Sequence, residues 1–339
     1  MTEKLKKIKA ERKKPVNLIA KDDFLFSHEY QKYINQSKIK TLRNVYISES
    51  KLKKFKYFRF NTRHWRMNPL KIRDKIVYLL QDFRDFFFNR RKCEIIKVKQ
   101  AIWAIDSRSY QYFHWFTDTL QRVEAANSYH DKGPVLLLPE FENFNYIKDS
   151  LNMLGIKSYV LDKDKEYLIE KLILSERVSP AGNYRKNLIN KISDNFIKNK
   201  NLKNEDFYKK VWVSRQKANK RRIANFDEIK PILEKYNFAV IDFEDFSLKD
   251  NINRAHNCQV IGGVHGAGLT NMIFMNKKSK VIEIRSDGDD SNNCFFSLAS
   301  DMEHDYFYFL ANPTSNNFYE TDLHVDPVLF DNFLKINEF

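Results

Sequence analysis

Asn257-Cys258-Gln259-Val260-Ile261-Gly262-Gly263-Val264-His265-Gly266-Ala267-Gly268-Leu269-Thr270-Asn271-Met272-Ile273-Phe274-Met275, continued by Lys280-Val281-Ile282-Glu283-Ile284, is the stretch that decides the fold. The run Val260 to Val264 reads as a buried strand that stops at His265 and a Gly266-Ala267-Gly268 turn. An apolar segment follows, read as a helix over 269–275, and then a second strand over 280–285. Residues with little side chain after a strand let backbone N–H groups and a helix N-terminus approach an anionic ligand. An acid at the end of the following strand can hydrogen-bond a ribose. The spacing points to a nucleotide pocket.

Outward from this unit, strands and helices alternate. Strand 101–105 leads to helix 111–127, strand 135–138 to helix 144–154, and strand 156–161 follows. Ser179-Pro180-Ala181-Gly182-Asn183 breaks the pattern, with a domain boundary placed at 175–182, and helix 184–198 comes after it. The alternation restarts with strand 210–214, helix 226–236, strand 238–242, helix 248–255 and strand 259–264, and continues past residue 285 with helix 294–302 and strand 305–309. Repeated βα units imply parallel sheets, so the chain reads as two α/β halves with a cleft at the carboxyl ends of their strands.

The 339 residues, 42% hydrophobic and 14% aromatic, provide material for two cores. Three widely spaced cysteines, Cys93, Cys258 and Cys294, form neither a zinc pattern nor a disulfide framework and fit a reducing cytosol. No run approaches the roughly 20 apolar residues that cross a bilayer, and the start lacks the apolar segment of a secretory signal. A net charge of +15 implies an anionic partner: nucleic acid, a membrane leaflet or a charged saccharide. Residues 1–14, with seven Lys or Arg, read as a solvated tail or frayed helix, or as a basic anchor, outside the core in either case. Residues 69–92 place Ile72, Ile76, Leu79, Leu80, Phe83 and Phe87 at helical spacing among basic residues, which suits either a domain helix or a membrane-surface helix.

Two further segments carry chemistry. Ser214-Arg215 ends a strand and leads into Lys220-Arg221-Arg222, where a guanidinium can grip a diphosphate bidentately. As ends of strands in one sheet, this segment and the Gly266–Gly268 turn converge on one phosphate group. His114 and Asp118 stand four apart on the helix after strand 101–105, so they share a face. That spacing suits either a surface pair or a pair that activates an acceptor hydroxyl.

At these segments the chain resembles glycosyltransferase family 61. The residues that carry the resemblance are His114-Trp115 with Asp118 and Arg122, Val213-Ser214-Arg215 with Arg221, Arg222 and Asn225, and Gly263 to Asn271 with Val281-Ile282-Glu283-Ile284. The resemblance covers about 100–310 and implies a GT-B fold, two Rossmann-like domains facing a central cleft. It divides the chain into a basic tail (1–20), an acceptor-binding domain (21–178), a nucleotide-sugar-binding domain (179–315) and a C-terminal extension (316–339). It also implies inverting transfer from a nucleotide-sugar, usually a UDP-sugar, without an obligatory metal or other cofactor. Carried over, Asp118 is the base with His114 its helper, and His265 is an alternative base or a phosphate donor. Arg215, Lys220 and Arg221 bind the diphosphate with Gly266, Ala267, Gly268, Leu269, Thr270 and Asn271, and Glu283 binds the ribose. The acceptor is a cell-surface polysaccharide or lipid-linked glycan, handled in the cytoplasm at the anionic inner face of the plasma membrane.

Two competitors stand beside this. Asp287-Gly288-Asp289 mimics the metal-binding acids of GT-A glycosyltransferases. A basic, aromatic-rich chain can bind nucleic acid, but no RNP, KH or zinc-finger pattern is present, so no nucleic-acid partner is expected.

Overall fold

The computed structural model describes residues 2–48, 59–61, 94–131, 133–162, 164–198, 208–315 and 320–339. The amphipathic stretch 69–92 and Cys93 lie outside the described residues. The chain divides into two compact units, Met1–Lys6 with Gln36–Val178, and Lys7–Asn35 with Ser179–Phe339. Each is a mixed α/β structure with a sheet rich in parallel strands.

In the second unit the strands lie in the order Ala239–Ile241, Lys210–Val213, Val260–Val264, Lys280–Ser286, Asp305–Pro313 and Leu323–His324. The first five are parallel and the last is antiparallel. Counted along the chain, the parallel strands run 2-1-3-4-5. Successive connections therefore leave to opposite sides of the junction between Lys210–Val213 and Val260–Val264, and the carboxyl ends at such a switch point form a ready crevice for a ligand.

Every residue of Val260–Val264 is buried, as expected of a strand covered on both faces. Gly262 lies under the indole of Trp212, and a Cβ added there would stand 2.6 and 2.7 Å from ring carbons. Trp212 packs in one core with Ile282, Phe330 and Leu334, so the ring has little room to retreat. Gly262→Ala is therefore expected to destabilise the protein by about 1–3 kcal/mol. Denaturant unfolding checks this, and a wild-type midpoint would show that the ring yields freely.

Both chain ends differ from the sequence expectation. Residues 320–339 belong to the second unit. Leu323–His324 extends the sheet, and helix Pro327–Ile336, capped by the Asp326 carboxylate on the Leu329 N–H at 2.9 Å, turns Phe330 and Leu334 into the core. The basic start is not a solvated tail. Thr2–Leu5 pairs with Ser37–Ser48, and Ile8–Glu11 pairs with Gln31–Ile34. Beyond the second strand, buried Arg12 reaches Glu29 at 2.6 Å and Asn183 at 2.8 Å, which compensates its loss of hydration.

The sheet of the first unit runs Thr2–Leu5, Ser37–Ser48, Glu166–Ser175, Ile95–Trp103, Val135–Leu137 and Ser158–Val160, with Arg59–Asn61 beside Ser37–Ser48. The last four are parallel. Among the described residues no helix is long and apolar enough to cross a membrane.

Candidate active site

In the first unit the carboxyl ends of Ile95–Trp103 and Glu166–Ser175 are tied together by Arg122. Its guanidinium donates to the Ser175 carbonyl at 3.0 and 2.8 Å and reaches the Asp106 carboxylate at 3.3 Å. Burial pushes the Arg122 pKa down to about 10 against the pull of Asp106, so the side chain stays cationic at neutral pH. Arg177 donates to the same Asp106 oxygen at 2.8 Å. Burial works to raise the Asp106 pKa, but Arg122, the Arg108 N–H and Arg177 outweigh it and hold the carboxyl below its ordinary value. Arg122, part of the sequence resemblance, thus acts as a strut.

The helix that carries Arg122 starts as Tyr112–His114, widens into a π-turn over Trp115–Thr119 and continues as Leu120–Tyr129. Trp115 anchors the π-turn through its indole N–H to Ser150 at 2.8 Å. Such local widening recurs at functional sites. His114 Nδ1 lies 2.6 Å from Asp118 Oδ2. A carboxylate can only accept, so Nδ1 carries the proton and Nε2 is left to exchange one. The other Asp118 oxygen, Oδ1, is buried and has no hydrogen-bond partner among the described residues.

At the switch point of the second unit, Arg215 follows one strand and His265 follows its neighbour. The guanidinium of Arg215 rests on Gly266, where an added Cβ would fall 2.0 Å from Nη1. Only a glycine admits that approach. Arg215 also donates to the carbonyls of Arg221 and Lys220, each at 3.2 Å, which curls the loop around it. Burial, and then the charge of Arg221, push the Arg215 pKa down to about 10. Arg221, held at a positive φ of 58°, is lowered as well, chiefly by burial. Two half-buried guanidiniums that repel one another gain most from a bound anion.

Arg221 and His265 line one small pocket with Ser286, Asp289, Asn292 and Thr321. His265 Nδ1 is hydrogen-bonded to Glu283. Glu283 has no exposed surface, and its other oxygen takes the Tyr306 hydroxyl, so both oxygens face protein groups. Leu269, Thr270 and Asn271 are buried in the short 3-10 helix Ala267–Phe274, and Asn271 donates to the Gly268 carbonyl at 2.9 Å; they shape the turn from behind. Lys220 pairs with Glu320 and Arg222 with Asp322, so of the basic run Arg221 lines the pocket while Arg215 lies over Gly266. Asp289 accepts from Ser291 and Asn292, including the Asn292 amide at 2.8 Å, a loop-closing pattern rather than the open carboxylate a metal needs. Sequence reasoning missed Tyr306, because its place beside Glu283 depends on the register of Asp305–Pro313 against Lys280–Ser286.

No curated protein matches the chain. The family model for Glycosyltransferase 61 matches residues 112–282, about half of the chain, from the helix of His114 to the strand of Glu283, one residue short of that carboxylate. The match takes in Asp118, Arg122, Arg215, Arg221 and His265. The chain belongs to glycosyltransferase family 61, and its activity is that of a glycosyltransferase.

Proposed function

We propose that the chain is a GT-B enzyme that transfers a sugar, with inversion, from a UDP-sugar to a hydroxyl of a cell-surface polysaccharide or lipid-linked glycan. The observation that carries this is the meeting of Arg215, Gly266, Arg221 and His265 at the switch point of the second unit. An anion fits there, and a nucleoside diphosphate is the anion that this enzyme class releases. As the bond from the anomeric carbon to the diphosphate oxygen breaks, the developing charge falls to the two guanidiniums, to His265 and to the N–H groups that open Ala267–Phe274.

The His114–Asp118 pair supplies the base. The sequence expectation makes Asp118 the base and His114 its helper, but Asp118 has one oxygen on the imidazole and the other buried. The better division of labour has Nε2 of His114 take the acceptor proton while Asp118 orients the ring and balances the imidazolium. Cations that serve the leaving group make a metal unnecessary, so no cofactor beyond the donor is proposed. The acceptor places the enzyme in the cytoplasm, at the anionic inner face of the plasma membrane, where the net charge of +15 favours it.

Thermal shift with a panel of nucleotide-sugars, each in EDTA, tests this. A donor that binds only the folded state raises the midpoint in proportion to the logarithm of its concentration over Kd. A UDP-sugar is expected to stabilise the protein with EDTA present. Stabilisation that appears only with Mn²⁺ or Mg²⁺ would favour the Asp287/Asp289 alternative.

A further inference from the structure

Behind His265 lies a chain of buried polar groups that the transfer chemistry has not used. Glu283, fully buried on the adjoining strand, accepts from His265 Nδ1 with one oxygen and from the Tyr306 hydroxyl with the other. Tyr306 is itself buried, and burial followed by the charge of Glu283 raises its pKa well above the ordinary value, so it remains a phenol and a donor. Arg285, also buried, supplies the balancing cation. Its Nη1 donates to Asn293 at 2.7 Å and its Nη2 to the Asp289 carbonyl at 3.0 Å, while the ring of Phe26 lies 5.0 Å away. An isolated buried carboxylate is costly, and this set of partners offsets that cost.

On the open side, His265 shares its pocket with Arg221 and Asp289. Its Nε2 lies 3.9 Å from the Cys294 sulfur, a thiol whose pKa burial has raised, and the Phe295 ring meets the imidazole edge-on at 4.9 Å. One nitrogen is therefore committed to Glu283 and the other is turned away from it. A phosphate oxygen reaching Nε2 needs an N–H there, which exists only in the imidazolium, and the charge next to that imidazolium is Glu283.

We propose that Glu283 and Tyr306 are positioning residues that fix His265 with its proton on Nδ1 and tune its protonated form to donate from Nε2 to the donor diphosphate. The diphosphate half rests on the donor-site assignment above; the tautomer and the tuning do not. No bond is broken at His265. It adds a charge-assisted hydrogen bond whose strength depends on two groups that never touch the substrate.

Ring-nitrogen NMR of the ¹⁵N-labelled protein tests this, with the His265 signals identified by their loss in His265→Gln. In the wild type the neutral imidazole is expected to carry its proton on Nδ1, and a proton found on Nε2 would overturn the proposal without any variant. Glu283→Gln removes the neighbouring opposite charge and is expected to lower the His265 titration midpoint by about one to three pH units. Tyr306→Phe frees the carboxylate from one donor, so it holds the imidazolium more strongly and moves the midpoint up. Glu283→Asp keeps the charge and restores much of the wild-type value. An unchanged midpoint in a folded Glu283→Gln protein, with folding checked by thermal denaturation, would overturn the relay, since a carboxylate that tunes the imidazolium must shift its titration when neutralised. Adding UDP separates the two claims. The midpoint is expected to rise, and no response to saturating UDP beside an intact tautomer and variant pattern would overturn the placement of the diphosphate while the relay stands.

Discussion

Replacing Asp118 by asparagine is expected to lower the transfer rate by roughly 10²–10⁴-fold while donor affinity stays nearly intact. The amide keeps the shape of the side chain but loses the charge, and it can present an N–H where the imidazole now finds an acceptor. The ring then no longer keeps its proton on Nδ1, and the imidazolium formed as the acceptor loses its proton has no counter-charge beside it. His114→Ala is expected to cost at least as much, since the proposed mechanism has Nε2 take the proton. Steady-state kinetics on the two variants decides the division of labour. A loss in His114→Ala much smaller than that in Asp118→Asn would make Asp118 the base, as the sequence alone suggests. Near-normal turnover in both, beside a collapse in His265→Ala with unchanged donor binding, would move the base role to His265.

The strands around the pocket were legible because burial on both faces leaves a mark in the chain. Val211-Trp212-Val213, Val260 to Val264 and Val281 to Ile284 are nearly unbroken apolar runs, and each ends at a residue of the site. Other strands were hidden by composition. Glu166–Ser175 carries Glu166, Glu170 and Lys171 among its leucines and isoleucines, a mixture that suits a helix as well as a strand. Ser37–Ser48 turns Ile39, Val45 and Ile47 toward the core in one register, but Thr41 and Arg43 hold the intervening positions and hide the alternation. The pairing of Asn17 with Tyr308 spans almost the whole chain, and no local pattern announces it. The same holds at the site. His114 with Asp118 follows from helical spacing, and Arg215 with Gly266 from strand ends in one sheet. The burial of Glu283, the presence of Tyr306 and the diversion of Lys220 to Glu320 depend on tertiary neighbours that a spacing cannot specify.

Arg215→Ala carries the second large effect. The guanidinium donates Nε and Nη2 to its own loop, and among the described residues Nη1, over Gly266, has no protein partner, which leaves it for an oxygen of the ligand. A charge-assisted contact of this kind is worth roughly 1.5–3 kcal/mol, on the order of 10- to 100-fold in Kd. Because the contact is to phosphate, the loss belongs to the diphosphate and not to the base or ribose. Gly266→Ala tests the same geometry from the other side. Its Cβ displaces a flexible side-chain end rather than backbone, so diphosphate affinity is expected to fall as in Arg215→Ala with the folding midpoint little changed.

Calorimetric titration of UDP and of uridine into the wild type and Arg215→Ala is the most direct test of a donor site built at this switch point. UDP is expected to bind the wild type without added metal and to lose roughly 10- to 100-fold in the variant, while uridine binds both proteins alike. Equal losses for UDP and uridine, or no loss for either in a folded variant, would contradict a diphosphate held by Arg215 against the Gly266–Gly268 turn.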